Sequence, residues 1–317
     1  MKEKLVSVII SVFNRKELMK KTLDAMLKSD YKNYEVVAVD GGSADGTLEM
    51  LEEYSKKNKK VRTFLDRTPG RNAARNTGIS NAKGEILIFV DSDCVVRRNW
   101  MKEITKPFSD GKIGGVIGRT IADKKGVFWY HMENDYLQFI GHNSAYRKSV
   151  IKKIRGFDPR FKTAKEDTDL AWRVIESGYD VVYCKNAVMT HLSKKVGIKY
   201  RIKNQRTYVY DGLLLRKHGD LYRKYFYDKG MPAPLWPSIL SPFLLLAFAY
   251  FLVFYRIIAV AAIIIYVIIV GSKLARENDG SLKDKTAFIL LSWMLPLSRF
   301  YNFCYGYIKF RKSRISH

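Results

Sequence analysis

Apolar residues fill the first half of the chain in short blocks. Leu5–Phe13, Tyr34–Asp40 and Ile86–Val90 are apolar at most positions and rich in Val and Ile, and Val61–Leu65 is a shorter run. Runs of this length read as strands buried on both faces. Between them the pattern changes to helical spacing. Asn14 with Glu17 forms a capping box that predicts a helix through about Ser29. Asp45–Lys57 carries Leu48, Met50, Leu51 and Tyr54 at helical intervals, and Arg71–Asn81 reads as a further helix. Strands alternating with helices predict an α/β domain whose mostly parallel central sheet is covered on both sides.

After Asp93 the pattern is less regular. Trp100–Phe108 is predicted helical and Gly114–Ile121 extended. Thr163–Glu166 forms a second capping box, opening a helix from about Asp167 to Ser177, and Tyr179–Cys184 reads as a strand. Basic and aromatic residues dominate Lys194–Lys229. From Leu235 to Val270 nearly every residue is apolar and Arg256 is the only charge. One spanning helix needs roughly 20 residues. The stretch therefore predicts a tight transmembrane hairpin with Arg256 snorkelling near the far interface, one long tilted helix being the alternative. Soluble helices keep a polar stripe that is missing here. Thr286–Ile308, with Pro296 and Arg299, is a further apolar segment that runs into a basic tail. The positive-inside rule puts the basic N-terminal domain, Lys273, Arg276 and that tail on the cytoplasmic face. Two crossings satisfy it, so Thr286–Ile308 is expected to lie in the interface or re-enter.

Charge and cysteines narrow the class. A net charge of +25 points to an anionic partner: nucleic acid, an acidic membrane surface or phosphorylated substrates. Cys94, Cys184 and Cys304 are far apart and odd in number, which fits neither a disulfide framework nor a zinc site and suits a reduced compartment. The first apolar run lacks a small-residue cleavage site and reads as a strand rather than a signal peptide.

The candidate chemistry sits at strand ends. Asp91-Ser92-Asp93 closes the Ile86–Val90 strand, where open α/β sheets bind ligands. Two neighbouring carboxylates are tolerable there if a hard divalent cation neutralises them, Mg²⁺ or Mn²⁺, with a diphosphate completing the shell. A turn or helix cap is the plain alternative. Asp40 ends the second strand, and Gly41, Gly42 and Gly46 after it allow close backbone approach to a ligand. Arg71 and Arg75 share one helix face and suit phosphate or carboxylate; an exposed cationic face is the alternative. Glu166, Asp167 and Asp169 begin a helix. They are either simple dipole partners or include a general base. His191 follows a strand and could complete a metal site with two carboxylates. No G-x-G-x-x-G follows the first strand, which argues against a dinucleotide oxidoreductase.

Taken together, VSVIISVFNR (Val6–Arg15), VDGGSADGT (Val39–Thr47), GRNAARNTGI, the D-x-D of VDSD, GHNSAYRKSVI (Gly141–Ile151), GFDPRF (Gly156–Phe161) and EDTDLAWRV resemble, in order and spacing, family 2 glycosyltransferases of the GT-A fold. The resemblance covers roughly Met1–Leu192. It implies a nucleotide-sugar-binding domain at 1–193; composition and charge divide the rest into a basic aromatic juxtamembrane region at 194–232, a transmembrane hairpin at 233–271, and a cytoplasmic loop, apolar interfacial segment and basic tail at 272–317. The resemblance implies that Asp40 binds the nucleobase; Arg71 and Arg75, from their shared helix face, and Asp91 are expected to contact the nucleotide. Asp91, Asp93 and His191 would hold Mn²⁺ or Mg²⁺, and Asp167 would be the base with Glu166 beside it. The implied reaction is inverting transfer from a nucleoside-diphosphate sugar to a hydroxyl of a lipid-linked or glycolipid acceptor at the membrane. Two departures stand out. Asp40-Gly41 replaces the two consecutive acids of many members. Gln205-Arg206 is followed by Thr-Tyr, so the Q-x-x-R-W motif of processive members is not clear here. A polyprenyl-phosphate sugar synthase and a non-catalytic basic membrane-binding module are the competing readings. Nucleic acid is not an expected partner, because strand-end acids without a metal repel phosphate.

Overall fold

The computed structural model describes residues 3–126, 128–130, 132–228, 256–275, 282–291 and 294–310, with the single positions 243, 246, 247 and 250. Its strands are β1 (Val6–Val12), β2 (Tyr34–Asp40), β3 (Val61–Leu65), β4 (Ile86–Asp91), β5 (Cys94–Val96), β6 (Ile113–Ala122), β7 (Trp129–Tyr130), β8 (Asn143–Arg147), β9 (Asp180–His191) and β10 (Lys194–Lys195). In the first compact unit, Met1–Lys124 with His131–Ser193, eight strands form one sheet in the order β3-β2-β1-β4-β8-β6-β9-β5.

The apolar runs make its parallel half. β2, β3 and β4 lie parallel around β1, with Val12 level with Asp40 and Ser11 level with Asp91. This register brings both acids to one edge of the sheet. Val8, Ile10, Val36, Ala38, Ile88 and Val90 are buried beneath α1 (Lys16–Leu27) and its neighbours. α2 (Thr47–Lys57) and α3 (Arg71–Asn81) supply the remaining crossovers. Gly78 of α3 rests directly on Ile9, where any Cβ would collide with that side chain.

The capping boxes are not used as the sequence pattern suggests. The α1 N-cap is Arg15 and makes no side-chain cap. Instead Asp45, from the loop after β2, accepts from the Lys16 amide at 3.1 Å, and Asn14 Oδ1 accepts from the Ala44 amide at 2.8 Å. The two loops cap one another. Lys165, in the left-handed region, precedes α6 (Glu166–Glu176) and likewise makes no side-chain cap.

The other half of the sheet is mixed, and three of its features are not expected from apolar runs. β5 is too short, and β8 too polar, to stand out. β9 extends twelve residues to His191 rather than stopping at Cys184. β8 pairs antiparallel with both β4 and β6, and β5 pairs antiparallel with β9. A register shift at Gly118/Arg119 is filled by Asn143, which donates to the Arg119 and Ala187 carbonyls and accepts from Trp100 Nε1 at 2.9 Å. The predicted Trp100–Phe108 helix is a short α4 (Trp100–Thr105) followed by a 3₁₀ turn containing Pro107. α5 (Lys148–Lys153) follows β8.

The second unit, Lys125–Tyr130 with Lys194–Ser316, pairs β7 with β10. It continues as α7 (Ile198–Asn204), α8 (Val209–Lys217), α9 (Gly219–Tyr222), α10 (Arg256–Ala275), α11 (Leu282–Leu291) and α12 (Met294–Lys309). Among the described residues no helix is long and apolar enough to cross a membrane. The transmembrane hairpin expected over Leu235–Val270 is therefore without support, and much of its first half lies outside the described residues. The other apolar segment is Thr286–Ile308. It contributes to two helices, and α12 packs on α8 so closely that any Cβ on Gly306 would collide with the Val209 carbonyl. Arg299 donates to Gln205 Oε1 at 2.7 Å and lies over the Tyr208 ring. An arginine in an apolar run is thus explained by helix packing.

Candidate active site

Asp91 and Asp93 stand where β4 ends and β5 begins. The β5–β9 ladder sets Cys94 opposite His191, and the Leu192 amide donates to the Asp93 carbonyl at 2.8 Å. His191, distant in sequence, is thereby delivered to Asp93: Nε2 lies 3.5 Å from Oδ1. Asp93 Oδ2 accepts from Arg15 at 3.1 Å. Asp91 Oδ1 accepts from Arg75 at 2.9 Å. Each acid of the pair has its own arginine.

α3 carries the next layer. Arg75 is buried, its guanidinium lies over the Phe157 ring, and it also meets Glu166 Oε1 at 3.4 Å. Arg71, more exposed, reaches the same oxygen at 3.4 Å. The helix is fixed against the Gly156–Phe161 segment by two asparagines. Asn72 donates to the Asp158 and Phe161 carbonyls, while Asn76 donates to the Phe157 carbonyl and accepts from its amide. That explains why these two motifs carry asparagine and glycine together: Gly156 has φ +67° and sits where a Cβ would come 2.6 Å from Asn76 Oδ1.

α6 brings Glu166 and Asp167. Gly141 lies between Asp167 and Arg75, and a Cβ there would come 3.2 Å from each side chain. Asp169 points inward instead and pairs with Arg173 at 2.7 Å, so it is a structural acid. Asp40 is fully buried. Its carboxylate accepts from the Gly42 and Ser43 amides and from Ser43 Oγ, at 2.7–2.8 Å, which shapes the loop after β2.

The electrostatics are uneven. Burial pushes the Asp91 carboxyl up, but Arg75 and Arg71 outweigh it and hold it well below the usual carboxylate range. Burial and the Asp91 charge push Asp93 up, against His191 and Arg15. Burial, then the neighbouring Glu166 charge, raise Asp167 to about 6. Burial lowers His142 to about 4. Glu166 Oε2 and His142 Nε2 are buried without a hydrogen-bond partner among the described residues.

All the candidate site residues fall in the first unit. The structure brings Asp91, Arg75, Glu166 and Arg71 into one set of contacts and Asp93 and His191 into a second, the two joined through Asp91-Ser92-Asp93, with Asp167 at Gly141. Asp40 is at the same sheet edge, turned into its own loop. Sequence reasoning missed Arg15 and His142. Arg15 closes the first motif. His142 stands in the Gly141–Ile151 motif with its ring 5.2 Å from that of His191. Only the tertiary fold reveals either contact.

A metal can be tested against this donor set. Asp93, Cys94 and His191 could present ligand atoms within 4.8 Å of one another. Burial raises the Cys94 thiol well above its usual range, so a soft thiolate is disfavoured. The carboxylates and the imidazole fit a hard or borderline divalent cation, whose charge relieves the crowding of Asp91 and Asp93.

Fold and site together define a GT-A type α/β protein with a curled, mostly parallel sheet. The family model described as "Glycosyl transferase family 2" matches residues 7–167, and the chain belongs to that family. It is similar to the glycosyltransferase GlyA of Streptococcus pneumoniae, 30% identical over 160 residues, covering 50% of this chain and 22% of that protein. The chain thus spans less than a quarter of GlyA's length. It is also similar to the dolichyl N-acetyl-alpha-D-glucosaminyl phosphate 3-beta-D-2,3-diacetamido-2,3-dideoxy-beta-D-glucuronosyltransferase of Methanococcus voltae, 24% identical over 240 residues, covering 67% of this chain and 74% of that one. Among solved structures, the mannosyltransferase PcManGT from Pyrobaculum calidifontis, in complex with GDP-Man and Mn²⁺, superposes with a TM-score of 0.69 at 18% identity, over 95% of this chain and 87% of that one. That likeness shows the fold.

Proposed function

We propose that the chain is an inverting, metal-assisted glycosyltransferase. It moves a sugar from a nucleoside-diphosphate sugar to a hydroxyl of a lipid-linked or glycolipid acceptor. The observation that carries this reading is Arg75. One buried guanidinium joins the strand-end acid Asp91 to the helix-start acid Glu166, so the metal side and the base side form one constellation.

Asp91, Asp93 and His191 would hold the cation, and a histidine nitrogen among carboxylates suits Mn²⁺ better than Mg²⁺. When bound, it offsets negative charge on the departing nucleoside diphosphate. Arg71 faces the diphosphate, while Arg75 holds Asp91 and Glu166 in place. The loop shaped by Asp40 receives the nucleobase. Asp167 takes the proton from the acceptor hydroxyl. The acceptor oxygen bonds to the anomeric carbon as the bond to the diphosphate oxygen breaks on the opposite face, which inverts the centre. A carboxyl raised to about 6 is a competent base near neutral pH. The Methanococcus voltae relative's dolichyl phosphate-linked substrate supports a lipid-linked acceptor. Exposed Val260, Ile264, Ile265, Ile268 and Ile269 on α10 support contact with a lipid surface.

Asp167→Asn tests the reading. Turnover of the nucleotide sugar should fall by about three orders of magnitude while Mn²⁺-dependent nucleotide binding persists. Unchanged turnover removes Asp167 as base and leaves a lipid phosphate, which needs none, as the acceptor.

A further inference from the structure

The two arginines that meet the strand-end acids are not equivalent. Arg75 is buried with 3% of its side chain exposed, and it is shared between Asp91 and Glu166. Arg15 is one-third exposed, and Asp93 is the one carboxylate it meets among the described residues. Its backbone, in contrast, is locked. Asn14 has φ 51° and donates its amide to Ser43 Oγ at 2.8 Å; the Arg15 amide donates to Thr47 Oγ1 at 3.2 Å. A loop fixed by backbone hydrogen bonds therefore aims a part-exposed, permanently charged side chain at Asp93. That contact takes up Oδ2, while His191 approaches Oδ1. Both oxygens a cation would use are engaged.

We propose that Arg15 stands in for the cation on Asp93 and is displaced when the metal–nucleotide pair binds. The inference rests on the metal site of the proposed function. A divalent ion arriving alone must remove Arg15 from Asp93 and leave a guanidinium beside a second positive charge. An ion arriving with a nucleoside diphosphate gives the released Arg15 an anionic partner within reach of the same loop, since guanidinium and phosphate pair readily. Arg15 thus lowers affinity for the bare ion and couples ion binding to nucleotide binding. Such coupling is reciprocal: whatever factor the nucleotide adds to metal affinity, the metal adds to nucleotide affinity. The Asp91–Arg75 pair stays intact, because Arg75 has a second carboxylate and no route to solvent.

The experiment measures Mn²⁺ binding by the intact chain, by calorimetry or by the electron-spin signal of free Mn²⁺, alone and with UDP or GDP. Arg15→Gln should bind Mn²⁺ alone about fivefold more tightly than the native chain. The extra affinity contributed by the nucleotide should shrink by a similar factor. Arg15→Lys should fall between the two. Equal or weaker Mn²⁺ binding in a folded Arg15→Gln overturns the proposal, while loss of Mn²⁺ binding in Asp93→Asn keeps the metal site. If the native chain binds no Mn²⁺ with either nucleotide, the metal site itself fails and the role of Arg15 goes with it. Thermal unfolding of each variant identifies misfolding.

Discussion

Both ends of the parallel sheet bury carboxylates, but the carboxyl end, where Asp40 and Asp91 are well partnered, also holds acids that are not. At the amino end, Glu35 is saturated. Its Oε1 accepts from Ser7 Oγ at 2.7 Å and the Lys83 amide at 2.6 Å, and its Oε2 pairs with Arg62 at 2.8 Å. Burial pushes the Glu35 carboxyl up, but the Ser7, Lys83 and Arg62 contacts outweigh burial and lower it. At the carboxyl end, Asp93 and Asp167 are pushed up, and Glu166 Oε2 and His142 Nε2 lack hydrogen-bond partners among the described residues. Unsatisfied buried polar groups cost about 1–3 kcal/mol each. They persist where charge must later be accommodated, and the amino end, which ties Lys83 and Gly84 to β1 and β2, has no such need.

The comparison predicts the sharpest split for Arg75. Arg75→Leu strands Asp91 and Glu166 without their shared cation, and breaking a buried ion pair this way costs about 3–5 kcal/mol. Chemical denaturation should show that loss. Arg15→Gln removes a side chain that is one-third exposed, from an acid that keeps some access to water, and should cost less, about 1 kcal/mol. Equal costs would mean that the two arginines are interchangeable and would remove the contrast on which the role of Arg15 rests.

Glu35→Ala should be next in size, at about 2–3 kcal/mol, because Ser7 and the Lys83 amide lose a buried acceptor while Arg62 keeps some access to water. Catalysis is not expected to change, since the network lies at the far edge of the sheet from Asp91. A fall in turnover larger than the fall in stability would show that the amino end positions the site.

The carboxyl end is the part the sequence makes legible, and the amino end is not. Two acids one residue apart after a buried strand are conspicuous, because Asp91 and Asp93 break an apolar run. Glu35 is one acid inside Tyr34–Asp40, and only its partners, 28 and 48 residues away, explain it. The parallel half of the sheet is readable for the same reason that its strands are apolar on both faces. β5, β8 and the end of β9 carry His191 and His142 into the site, yet they are short or polar, and pairing rather than composition makes them strands. In the second unit, uniform apolarity gives helices but no face. Gly212 and Gly306, which set the α8–α12 contact, become meaningful only once the two backbones meet.

The smallest predicted effect is also the most diagnostic, because its sign differs between the ends. Asp167 has a carboxyl raised to about 6, so the folded chain holds that proton more tightly than the unfolded chain. Ionising it costs stability, and the cost grows as pH rises from about 4 to about 6, then levels off. Asp167→Asn removes a charge the fold opposes. The variant should be more stable than the native chain by about 1 kcal/mol at pH 7.5, since Asp167 is only half-buried, and the gain should vanish near pH 4. Glu35 has its carboxyl lowered, so its contribution is present above the ordinary carboxylate pKa and fades as pH falls through the folded value. Glu35→Gln should therefore destabilise the chain at pH 7.5 and do so less at pH 4. Melting temperatures of both variants across this window should move in opposite directions from the native curve and converge on it in acid. If Asp167→Asn were destabilising throughout, its carboxylate would be a structural partner like Glu35, and the case for a base held ready at the carboxyl end would fail.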